Sequence, residues 1–190
     1  MKSSFSILAL CIFSLVLLAG CKKGEDDPTI SLRSRKERFS GDWQLTRGFV
    51  ISTNKNTVVS TTYNGNSFTT TSSLNPELVI NGSYIRTLSI NKEGTFIDEI
   101  NKDNLFKKEQ GLWTFLSGND IEDLKNKEAV LFKVSSQFNS EGNILNLYKG
   151  EERPLFVIRL KKLTYNEMVW TTNGNIDEQI TEGELTWIAR

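Results

Sequence analysis

From Trp43 to the C-terminus the chain is written in runs of about five to nine residues rich in Thr, Val, Ile, Phe and Trp. Clusters of Asn, Gly, Ser and Asp separate them. This texture predicts a succession of β-strands joined by tight turns. We place strands near 42–52, 57–63, 67–73, 77–80, 84–91, 95–101, 111–116, 129–135, 144–148, 155–160, 167–172 and 185–189. Asn64-Gly65, Asn81-Gly82 and Asn173-Gly174 suit turns that need positive φ. Lys92-Glu93-Gly94 is read as the turn of a hairpin joining Leu88 and Ile90 to Phe96. The three prolines, Pro28, Pro76 and Pro154, fall at the edges of predicted elements, so none interrupts a strand.

Successive side chains of a strand point to opposite faces, so alternation tells which face is buried. Trp43 and Leu45 share a face, as do Leu88 and Ile90, Trp113 and Phe115, and Val130, Phe132 and Val134. Phe156, Ile158 and Leu160 form another set, followed by Met168 with Trp170 and Leu185 with Trp187. Gln44, Thr114, Lys133 and Lys161 lie on opposite faces, with Val157 and Val169 as exceptions. One apolar and one wet face is the mark of antiparallel sheet. Many such strands through short turns predict an all-β, up-and-down barrel, since closure removes the exposed edges that invite aggregation. Ahead of the strands, Thr29–Ser40 reads as a short helix capped by Thr29 and ended by Gly41.

Composition narrows the chemistry. There is no histidine, and the two cysteines are Cys11 and Cys21, both near the N-terminus. Ser-His-Asp and Cys-His systems cannot be built, nor the usual zinc sites. No glycine-rich phosphate loop is present. A carboxylate pair remains possible, but nothing in the order of residues singles out two acids. Asn173, Asn175, Asp177 and Glu184 have part of a calcium-loop spacing, but Glu178 stands where glycine is needed, and we read a polar turn. Gly118-Asn119-Asp120-Ile121-Glu122-Asp123 is a second acidic turn, no more specific. Basic and acidic residues balance at 23 each, which gives no long-range attraction to nucleic acid. The expectation is a protein that is not an enzyme and takes no cofactor, metal or nucleic acid.

The first 21 residues carry Lys2, an apolar run from Phe5 to Leu18, and then Ala19-Gly20-Cys21. That is the pattern of a secretory signal, too short and too soon followed by charge for a permanent span. The small-small-Cys ending resembles the lipobox of bacterial lipoproteins. The resemblance implies cleavage after residue 20, acylation of Cys21 by chains such as palmitate, and a membrane tether. Lys22-Lys23-Gly24-Glu25-Asp26-Asp27-Pro28 is similar to the sorting tag of some surface-exposed outer-membrane lipoproteins, and reads equally as an ordinary solvated linker. The expected organisation is a signal peptide over 1–20, the lipidated cysteine and charged tether over 21–28, and a barrel domain over 29–190.

Gly41-Asp42-Trp43-Gln44-Leu45 after a short helix is similar to the Gly-x-Trp opening of lipocalins and their calycin relatives. Leu88–Phe96, Gly111–Phe115, Phe156–Thr164 and Glu167–Trp170 extend the likeness to the lipocalin-like domains of bacterial lipoproteins, across about 30–190. The resemblance implies a barrel of about eight to ten antiparallel strands, often around a small apolar ligand. It gives Gly41 and Trp43 a structural role at the closed end, where a later basic residue often covers this tryptophan, a place open to Arg190 only if the last strand runs past Trp43. The Ser/Thr/Asn-rich segment Thr53–Ser73 departs from a compact lipocalin, and is either a long hairpin at the mouth or a loop. Phe96, Trp113, Phe115, Phe132, Phe156, Met168 and Trp170 are the candidate ligand-lining residues, each equally a core residue if side chains fill the barrel. Two functions follow: an outer-membrane lipoprotein holding a small apolar or amphipathic ligand, or a cell-surface scaffold with a filled barrel and a protein or glycan partner.

Overall fold

The computed structural model describes residues 27, 31–118, 127–147, 155–176 and 179–190. The expected signal peptide over 1–20, Cys21, most of the expected tether and residues 119–123 of the expected acidic turn lie outside the described residues. Among the described residues a short helix, α1 (Arg35–Phe39), precedes eleven strands: β1 (Gly41–Asn54), β2 (Thr57–Asn64), β3 (Ser67–Ser72), β4 (Asn75–Ile90), β5 (Thr95–Lys102), β6 (Leu105–Phe115), β7 (Ala129–Asn139), β8 (Ile144–Leu147), β9 (Leu155–Leu163), β10 (Glu167–Ile176) and β11 (Gln179–Ala189). All pair antiparallel. Ten of them close an up-and-down barrel, and β8 adds to the side of β7. Trp43 opposite Ala189 joins the first strand to the last, so no edge is left along β1.

The barrel widens from one end to the other. Gly41–Gln44 of β1 pair directly with Thr87–Ile90 of β4. Beyond Gln44 the two strands part and the β2–β3 hairpin enters between them, Arg47–Asn54 pairing with β2 and Ser67–Ser72 with β4. The wall therefore has two fewer strands at its closed end than at its mouth. The Ser/Thr-rich segment is this hairpin, part of the wall rather than a loop beside it. Its threonines are β-branched, and Gly65 supplies the left-handed turn residue with φ 61°. Asp103 and Asn104, at φ 50° and 68°, make the two-residue β5–β6 turn in the same manner.

The helix is shorter than the sequence predicts. Residues 31–34 are irregular, and the N-cap is Ser34 rather than Thr29. Ser34 Oγ accepts from the Glu37 N–H (3.1 Å) while the Glu37 carboxylate accepts from the Ser34 N–H (2.7 Å), a complete capping box. Gly41 already belongs to β1. Two predicted turns are strand interior: Asn81-Gly82 lies within β4 and Asn173-Gly174 within β10. Asn81 accepts from the Thr69 hydroxyl across the sheet (2.7 Å), and at Gly82 a Cβ would collide with Phe68 and Asp103. There glycine serves close approach, not reversal.

The core fills the closed half. Trp43, Leu45, Leu88, Ile90, Phe132, Ile158, Leu160 and Trp187 are buried in it on the faces that alternation assigned, joined by Phe39 from the helix and by Leu163, which follows a shift of register between β9 and β10. Phe39 plugs the closed end, its ring 4.9 Å from Trp113, and its carbonyl accepts from Trp43 Nε1 (3.0 Å). Arg190 meets the adjoining chain through its own N–H on the Asp42 carbonyl (2.9 Å). Asp27, assigned to the tether, is instead buried. It pairs with Arg35 Nη1 and accepts from the Leu163 N–H (2.8 Å), which fastens the chain to the closed end. Burial, with a smaller push from the Arg38 charge, brings the Arg35 guanidinium down to about 10, so it is still charged at neutral pH.

Candidate functional site

The barrel interior has two chemical halves. In the closed half the predicted lining residues touch one another. Phe132 stacks on Phe156 (4.8 Å, 9° between planes) and meets Phe96 edge-on at 4.9 Å and Trp170 at 6.2 Å. Trp113 and Phe115 close around Phe39. Phe96, Trp113, Phe132, Met168 and Trp170 are buried, and Phe115 and Phe156 are half-buried at the margin of the cluster. The described grooves lie on the outer wall and at the closed end, and none is lined by Trp113, Phe115, Phe132, Phe156, Met168 or Trp170.

Toward the mouth the same inward faces turn polar. Along β4 the inward series is Tyr84, Arg86, Leu88, Ile90; along β5 it is Phe96, Asp98, Ile100. Arg86 donates to Asp98 through Nε (3.0 Å) and Nη2 (2.6 Å), a two-pronged pair in which the Asp98 side chain is 2% exposed. Burial works against the Arg86 charge, but Asp98 outweighs it and the guanidinium is held above its usual range. Its guanidinium carbon lies 5.3 Å from the Trp187 ring centroid, in cation–π range. Tyr63 and Tyr84 face each other at 4.6 Å beside it. Burial raises both phenols, Tyr84 to about 12, with the Arg86 charge opposing the rise.

Glu109 is the register partner of Asp98 on β6, so the interior holds two neighbouring carboxylates, each with its own cation. Lys107 Nζ sits 2.7 Å from Glu109. Gln137 also donates to Glu109 and accepts from Asn146 (2.8 Å), carrying the polar band on to β7 and β8. On the hairpin side the inward positions are Val50, Thr61 and Thr70, the two hydroxyls 2.9 Å apart, then Ser52 and Thr181.

Two donors in this interior are unanswered. Nε1 of Trp170 and Nε1 of Trp187 are buried with no acceptor among the described residues, and the two rings lie 4.6 Å apart. Leaving a buried N–H unpaired costs about 1–3 kcal/mol, so a bound acceptor oxygen, from water or from a ligand, is favoured here. The level where these indoles at the top of the apolar half meet the Arg86–Asp98 pair is the neck of the barrel, and Trp170 is the one residue shared between it and the predicted lining. Arg86, Asp98, Tyr84 and Glu109 are not singled out by the sequence, while Trp187 is read there only as an inward neighbour of Leu185. The signal for Arg86 and Asp98 was present: each is a charge in phase with inward apolar neighbours.

The calcium-loop spacing does not form a loop. Glu184 and Asn173 stand on paired strands, with Glu184 opposite Thr171 and Asn173 opposite Glu182, while Asp177 is outside the described residues. No cluster of three acidic, His or Cys side chains suited to a metal occurs among the described residues. No family model and no curated protein matches this chain.

Proposed function

We propose that this protein is an outer-membrane lipoprotein, anchored through Cys21, whose barrel binds one amphipathic small molecule at the neck. The pair of buried, unanswered indole N–H groups beside the Arg86–Asp98 pair carries this reading. The ligand's apolar part would rest against Val50, Tyr63 and Phe68, and its polar atoms would meet the Trp170 and Trp187 donors and the Arg86–Asp98 band. The closed half serves as a rigid floor. An amphipathic ligand suits such a neck better than a wholly apolar one, because the fixed charges would be left unsolvated by hydrocarbon.

Native mass spectrometry of the protein purified gently from its host membranes tests this. An extra mass lost on denaturation is expected, together with its loss from a Trp170→Phe, Trp187→Phe protein that keeps its far-ultraviolet circular dichroism. Absence of any extra mass from the unsubstituted protein would overturn the ligand and favour the scaffold reading. That second reading has one support of its own. Two open grooves of ≈ 480 and ≈ 810 Å³ meet on the outer wall at Phe49 and Glu184, amid mixed charges such as the Lys161–Glu184 pair.

A further inference from the structure

The closed end of the barrel bears an apolar feature that the core does not use. A groove of ≈ 550 Å³ is lined by Leu32, Arg33, Arg38, Thr164 and Tyr165, among others. Leu32 is 90% exposed and Tyr165, at the tip of the β9–β10 turn, is 69% exposed. Arg38 is fixed here by its Nη1 bond to the Leu163 carbonyl (2.8 Å), and Lys36 projects from the same short helix. An exposed leucine and tyrosine in one groove with Arg33 and Arg38 is the chemistry of an interfacial contact: apolar tips for the acyl boundary, cations for lipid phosphates.

The chain itself points to the occupant. Asp27 is pinned to the Leu163 N–H and to Arg35, next to this groove. Only residues 22–26 separate Asp27 from Cys21, a span of at most about 20 Å when fully extended. Lys22 and Lys23 add positive charge along it. A lipid on Cys21 would therefore hold the closed end, and no other part of the molecule, at the bilayer surface.

Resting on the lipid-anchor reading above, we propose that the closed end is a foot seated in the headgroup layer, with Leu32 and Tyr165 entering the boundary and the mouth turned away from the membrane. The test uses the full acylated protein reconstituted in vesicles containing phosphatidylglycerol. Tyr165→Cys and, at the far tip of β1, Asn54→Cys are each labelled with an environment-sensitive nitrobenzoxadiazole dye. The expected result is a blue-shifted emission at position 165 that is quenched several-fold more strongly by doxyl-labelled lipid than at position 54. Equal, water-like behaviour at both positions would overturn the foot. So would a blue shift at 165 without lipid quenching, which would mark a protein partner or a second copy in the groove. The intact mass of the same sample separates the two levels: acyl chains on Cys21 with a water-exposed position 165 would sink the foot alone, while an unacylated mass would sink the anchor and the foot together.

Discussion

At the scale of single residues, the neck is decided by a few side chains that break the rule of an apolar interior. Arg86 and Asp98 are tolerated because each is the other's partner with two-pronged geometry. Removing one would leave a buried charge unpaired, a far larger penalty than the pair's net contribution. Tyr84 offers a cleaner measurement. Its phenol is raised from 10.0 to about 12 by burial, so the folded state favours the neutral form. A group raised on folding contributes stability that is fully present below its unfolded pKa and lost as pH climbs through the folded value. The contribution is on the order of 2 kcal/mol, present below about pH 10 and gone above about pH 12. The urea midpoint should therefore fall between about pH 8 and about pH 11.5 by more in the native protein than in Tyr84→Phe, and equal falls would refute the assignment. The alternation that exposed the core also carried Arg86 and Asp98 in phase. What alternation could not carry was their pairing, since that depends on the register of β4 against β5.

At the scale of elements, close backbone approach explains what turn signals obscured. Gly111 stands where β7 bulges against β6, and a Cβ there would collide with the Lys133 carbonyl and press on the Phe96 ring. Gly111→Ala should cost about 1–3 kcal/mol. Gly174, in a strand but with open space about its Cβ position, should accept alanine within about 0.5 kcal/mol. Thermal unfolding of the two variants checks the contrast, and similar losses in both would count against the clash. Asn173-Gly174 and Asn81-Gly82 look like Asn64-Gly65 in sequence, yet only the last turns the chain. Whether such a dipeptide reverses depends on the pairing available on either side, which is set by strands far away along the chain. The helix shows the same limit: both Thr29 and Ser34 can cap, and the partner that decides is Glu37, three residues after Ser34.

At the scale of the whole molecule, closure joins β1 to β11 across nearly the entire folded chain. Such non-local pairing must offset a large loop-closure cost before it is rewarded, so folding should take milliseconds to seconds or longer. Stopped-flow fluorescence of single-tryptophan variants should show Trp113, on a strand paired with near neighbours, buried before Trp187, whose strand closes the barrel. Simultaneous burial, or the reverse order, would contradict that sequence of events. The sequence by itself determined the all-β class, the antiparallel alternation, most inward faces and the short capped helix region, because these depend on side-chain period and local turn chemistry. Tertiary structure alone decided that the barrel is narrower at one end, that the Ser/Thr-rich hairpin is wall, that Asp27 is buried at the closed end and that charges and unanswered indoles meet at the neck. Each of those rests on contacts between segments distant in the chain, such as Asp27 on Leu163, Arg86 on Trp187 and β1 on β11, and such contacts belong to the closed sheet rather than to any segment within it.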